Sequence, residues 1–128
     1  MANPIVMITT LKIKTGRLDD YRKFTREATE YIEANRPGTV AILENASEDG
    51  SEISIALVFS DAEAMQAHMA GIGEFPNRSR ELAEVDNIQI HGQPNEATLE
   101  MMNMIGGSGI VLDIKPQWIG GSIHLGAA

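Results

Sequence analysis

The chain has 128 residues, with 18 acidic and 10 basic side chains, a net charge of −8 and no cysteine. One domain of this length buries a core without staples, and the missing cysteines exclude disulfides and thiolate metal sites and leave a reducing cytoplasm as the expected compartment. The acidity opposes nucleic-acid binding, which needs clustered Lys and Arg; no apolar run approaches the roughly 20 residues that cross a bilayer, and no signal-like leader opens the chain.

Alternation predicts a first strand over Ile5–Ile13, with Ile5, Met7, Thr9, Leu11 and Ile13 set against Val6, Ile8, Thr10, Lys12 and Lys14. Its first half is apolar on both faces, and its second half exposes lysines on one. Thr15-Gly16 is a turn. Leu18, Tyr21, Phe24, Ala28, Tyr31 and Ile32 then recur at three- and four-residue steps, which predicts a helix over Leu18–Asn35. Tyr21, near its start, reads as a partly exposed edge of the core. The helix must stop before Pro37, because the residue preceding proline avoids the α region. Pro37-Gly38 suits the centre of a type II turn.

Thr39–Ala46 reads as a second strand, joined through Ser47–Gly50 to a third that ends at Phe59. In the third, Ile53, Ile55, Leu57 and Phe59 alternate with Ser54, Ala56, Val58 and Ser60, and neither face carries a charge. Ser60 is the expected N-cap of the next helix, with Glu63 completing a capping box. Ala62, Met65, His68 and Met69 share one stripe of that helix, so His68 points toward the sheet. Gly71–Gly73 and Pro76 interrupt the helix near Ala70, a short helical turn follows over Asn77–Ala83, and Val85–His91 reads as a fourth strand.

The order β-α-β-β-α-β is the ferredoxin-like split pattern. Two helices cover one face of a four-stranded sheet, yet Val6, Ile8, Val40, Ile42, Ala56, Val58, Ile88 and Ile90 are assigned to the other. A monomer rarely leaves such a patch open, so a homodimer packed sheet against sheet is expected. The domain is placed at residues 1–93 and a C-terminal extension at 94–128. In the extension Pro94–Met104 reads as a helix with Ala97, Met101, Met104 and Ile105 on one side. Gly106–Gly109 is a connector, and Ile110–Ile114 and Ile119–Leu125 are candidate strands for a sheet edge, of this chain or of its partner.

Two stretches, MITTLKIKTGRLDDYRKF and ANRPGTVAILENASEDGSEISIALVFSDAEAMQAHM, resemble the antibiotic-biosynthesis-monooxygenase-like family of dimeric α+β barrel proteins. The resemblance rests on the Lys-x-Gly end of the first strand, the Asn35-x-Pro37-Gly38 turn, the acidic hairpin and the Ser60-to-His68 helix start, and it covers about residues 4–92. It implies an α+β fold: a ferredoxin-like dimeric α+β barrel, here with a C-terminal helix and strand extension. It also implies a pocket between sheet and helices. Family activities include cofactor-independent oxygenation of phenols and quinols, haem degradation and isomerisation, so fold alone does not select one. In an ungapped alignment the haem-degrading branch's asparagine, tryptophan and histidine fall at Thr9, His68 and about Arg78, so neither haem nor another cofactor is expected.

His68 is the candidate catalytic residue: an imidazole near neutral pKa that takes a proton from a phenol or enol. The competing account is a core histidine satisfied by a backbone carbonyl. Phe24, Tyr31, Phe59 and Met65 are candidate substrate-binding residues, although their spacing equally suits core packing. His91 and His124 stand in no metal-ligand spacing, so no metal site is expected. Lys12, Lys14, Arg17 and Lys23 read as a solvated face. The reading is therefore an enzyme of the cofactor-independent monooxygenase type acting on an aromatic, quinol-like or enolisable metabolite. The alternative is a non-catalytic dimeric ligand-binding or stress-associated protein.

Overall fold

A computed structural model of the chain describes residues 3–36, 38–106 and 111–124. Pro37 of the expected turn, the Gly107–Gly109 connector, Ile110 and Leu125 lie outside them. The elements are β1 (Ile5–Ile13), α1 (Leu18–Asn35), β2 (Thr39–Ala46), β3 (Glu52–Phe59), α2 (Ala62–Gly71), α3 (Phe75–Leu82), β4 (Ala83–His91), α4 (Glu96–Gly106) and β5 (Val111–Lys115). They form an α+β fold with one five-stranded sheet in the order β2-β3-β1-β4-β5. The first four strands are antiparallel in the ferredoxin-like order, and β5 joins β4 in parallel. The extension thus completes this chain's own sheet edge, with α4 as the crossover that a parallel pair requires.

The register sorts the strand residues by face. Ile5, Met7, Thr9 and Leu11 of β1 stand beside Phe59, Leu57, Ile55 and Ile53 of β3, and with Ile90, Ile88 and Val85 of β4 they face the helices. The buried core gathers there, led by Ile5, Phe59, Met65 and Ile90 at 1% exposure or less. This corrects the predicted second face. Ile42, opposite Leu57, and Ile88 and Ile90 belong to the helix side. Register shifts between Thr10 and Leu11 on β1 and between Thr39 and Ala41 on β2 change the parity, which strict alternation cannot anticipate. The open face is apolar across β2, β3 and β1 (Ala41, Leu43, Ala56, Val58, Val6 and Ile8), with Leu43 59% exposed. Across β4 and β5 it carries Asn87, Gln89, His91, Asp113 and Lys115.

Five local expectations shift. The N-cap of α2 is Asp61 rather than Ser60, its Oδ1 accepting the Ala64 N–H at 2.7 Å; the Ser60 N–H still donates to the Gly38 carbonyl beside the strands. α3 starts at Phe75, with Pro76 in the first turn where its missing N–H costs nothing. Tyr21 is 3% exposed rather than an open edge, because its hydroxyl reaches Glu44 on β2 at 2.7 Å. On α4 the inward side carries Thr98 and Met102, one position later than predicted, while Ala97 is exposed. Asn95 fixes that phase by accepting the Thr98 N–H and donating to Gln66 of α2 at 2.6 Å. No strand forms over 119–124; Pro116 offers no N–H, and Gly120-Gly121 adds backbone entropy without packing.

Candidate functional site

Between the sheet and the helices lies a cavity of about 420 Å3, within the range that holds a small ligand. Its floor is Met7, Thr9 and Leu11 of β1, Ile55 and Leu57 of β3, and Val85 and Ile88 of β4. Its roof is His68, Met69 and Ile72 of α2, Pro76, Ser79 and Arg80 of α3, and Met102 of α4. Aliphatic side chains from both layers therefore face each other across open space.

His68 enters this wall from the inward stripe of α2 and is 3% exposed. Its Nδ1 lies 3.1 Å from the Thr39 hydroxyl, which can serve either tautomer. Its ring meets Phe59 edge-on, with centroids 5.1 Å apart. Among the described residues nothing hydrogen-bonds Nε2. Burial first, and the positive Arg36 second, push its pKa down to about 4 rather than near neutrality.

Arg36, the residue that caps α1, spends its donors on main-chain carbonyls: Nη1 on Asn35 at 2.8 Å and Nη2 on Gly71 at 3.1 Å. Its Nε is buried without a partner. Gly71 makes this possible, since a Cβ there would fall 1.7 Å from Nη2. The guanidinium therefore sits at the negative end of α2 and keeps a positive charge close to His68.

Of the residues singled out from sequence, His68 lines the cavity. Phe59 and Met65 are fully buried beside it and do not line it. Phe24 and Tyr31 lie elsewhere, each packed edge-on against Phe75 of α3 at 6.0 and 5.4 Å. Arg78, the position examined for haem, is committed to Glu27 at 2.7 Å and to the faces of Phe24 and Phe75. Sequence reasoning missed Thr39, Arg36 and the methionines Met7, Met69 and Met102. Met69 was legible as His68's neighbour on the α2 stripe, whereas Thr39 and Arg36 approach His68 only through the fold. Among the described residues no group of three or more His, Asp or Glu is placed to hold a metal ion, and no helix is long and apolar enough to cross a membrane.

No protein-family model matches the sequence, and no curated protein matches it. Solved structures do. MupZ from Pseudomonas fluorescens superposes with a TM-score of 0.71 at 17% identity, over 93% of this chain and 95% of that one. SnoaB from Streptomyces nogalater, a cofactor-independent oxygenase, gives 0.61 at 15% over 73% and 96%. A proposed antibiotic biosynthesis monooxygenase from Bacteroides thetaiotaomicron gives 0.58 at 19% over 65% and 85%. The fold is thus the one shared by antibiotic-biosynthesis-monooxygenase-like proteins. Residues 1–93 are 93 of 128 positions, about 73%, so the MupZ likeness takes in most of the extension as well.

Proposed function

We propose that the chain is a small-molecule enzyme of the cofactor-independent oxygenase type, acting on a quinol-like, aromatic or enolisable metabolite. The observation that carries the reading is a buried, neutral histidine in the wall of an apolar cavity, with no protein partner on Nε2. The oxygenase among the similar folds supports the reaction class. An activated CH2 would give one proton to His68, and the carbanion would pass its electrons to dioxygen as the C–O bond forms. The second hydrogen and the proton held by His68 would then leave with one oxygen atom as water, so CH2 and O2 become C=O and H2O. A base of pKa about 4 takes a proton from a donor of pKa about 8 at a cost of about 5 kcal/mol. Arg36 offsets part of that cost, because the charge that disfavours imidazolium favours the new anion.

Oxygen uptake with an anthracenone probe tests this. His68→Ala is expected to lower turnover by about two orders of magnitude or more while the thermal transition persists; unchanged turnover would remove the mechanism. The depressed pKa also favours a second reading, a ligand-binding protein without turnover. Tight binding of the probe with no oxygen uptake would select it.

We further propose a homodimer that covers the open apolar face of β1–β3, since each Å2 of apolar surface removed from water contributes about 25 cal/mol. Sedimentation should report two copies for the native chain and one for Leu43→Glu. A native monomer at micromolar concentration would exclude the pairing.

A further inference from the structure

The cavity is elongated and differs at its two ends. Met7 and Leu57 floor one end, where His68 meets Phe59. Lys14, Arg80 and Glu84 line the other, and all three are exposed, so the cavity opens there. Seven residues separate Met7 from Lys14, about 23 Å at strand rise. Between the ends the wall is mainly aliphatic, broken by Thr9 and Ser79, with three methionines that adjust to ligand shape and, among the described residues, no Phe, Tyr or Trp.

Among the described residues five of the ten cations are paired with carboxylates: Lys12, Arg17, Arg22, Arg78 and Lys115. Of the other five, Lys14 and Arg80 line this cavity. Glu84 shares the mouth and is in ion-pair contact with neither among the described residues. Two cations against one carboxylate attract a single negative charge, while Glu84 opposes a dianion.

We propose that the substrate is an elongated, mainly aliphatic carboxylic acid that carries a 1,3-dicarbonyl at the end remote from its carboxylate, the carboxylate held by Lys14 and Arg80 at the mouth and the activated CH2 between the two carbonyls delivered toward His68. This rests on the proposed function for the reaction but not for the binding. It selects the enolisable acyl class over fused aromatic rings, for which the wall offers no stacking partner.

Calorimetric titration of the full-length protein with decanoate, decanol, decyl phosphate and an anthracenone tests the assignment. Decanoate should bind about tenfold more tightly than decanol. Lys14→Gln combined with Arg80→Gln, both exposed and without carboxylate contacts among the described residues, Arg80 donating only to the Asn77 amide oxygen at 3.0 Å, should abolish that preference and leave decanol affinity unchanged. Equal binding of decanoate and decanol, indifference to the double variant, or tighter binding of the anthracenone would overturn the proposal; tighter binding of decyl phosphate would overturn the carboxylate. His68→Ala separates the two claims. If it leaves turnover intact while decanoate binding still depends on Lys14 and Arg80, the catalytic reading fails and the ligand class stands.

Discussion

The space between helices and sheet is treated in opposite ways at its two ends. Where α1 meets α3 it is filled: Tyr21, Phe24, Phe75 and Tyr31 form a chain of rings with centroids 5.4 to 6.0 Å apart, and Arg78 covers Phe24 and Phe75 at 5.3 and 5.6 Å. Glu44, beneath α1, receives the hydroxyls of Tyr21 and Thr25. Under α2, α4 and the Pro76–Arg80 side of α3 the lining is mostly Met, Ile, Leu and Val with one His, and a cavity remains. Aromatic pairs add about 0.5–1.5 kcal/mol each beyond their burial; flexible thioethers leave room and adapt. The rings brace α1 against α3, whereas the α2 and α4 side combines a buried core around Phe59, Met65 and Ile90 with an open cavity beside it.

Truncation at each end breaks or sharpens this contrast most directly. Tyr21→Ala removes a buried ring and a partner of Glu44, and is expected to cost about 3–5 kcal/mol. Met69→Ala enlarges a space that already exists, and Met69 is only partly buried, so it is expected to cost about 2 kcal/mol or less. Denaturant unfolding of both variants measures the difference. Equal losses would mean that the cavity end is as tightly packed as the ring end.

The sequence makes this division only partly visible. Helix and strand periods place nearly every element, because a bulge shifts which face a strand residue takes without erasing the run of β-forming residues, and Leu18–Asn35 keeps its helical period from end to end. The same patterns put Phe24 and Tyr31 on α1's inward side without showing that α3 meets them there. Phe75 sits in a stretch whose Gly73 and Pro76 read as breakers. The faces of Ile42, Ile88 and Ile90 depended on two register shifts that leave no mark in composition. His68 was legible because a lone histidine fell on an apolar stripe. Its depressed pKa was not, since it comes first from the depth of burial and then from Arg36, which is 32 positions away in sequence and brought close by the Gly71 carbonyl.

The two ends should also differ in the direction of their pH sensitivity. His68 has a folded pKa of about 4 against an ordinary 6.5, so between those values the unfolded chain binds the extra proton and stability rises with pH. Its contribution is fully present above about 6.5 and is lost as pH falls toward 4, an effect of about 3 kcal/mol at most. Tyr21 acts oppositely: burial first, and Glu44 second, raise its pKa above the ordinary 10.0. The unfolded chain then loses the proton first, and stability falls as pH climbs past 10. Unfolding free energies of the native chain and His68→Leu, measured from pH 7 to 4, isolate the acid limb. The variant should lack much of the native slope, and carboxylates common to both cancel in the difference. Parallel slopes would mean that water reaches His68 in the folded chain and that the cavity end is wetter than its lining implies.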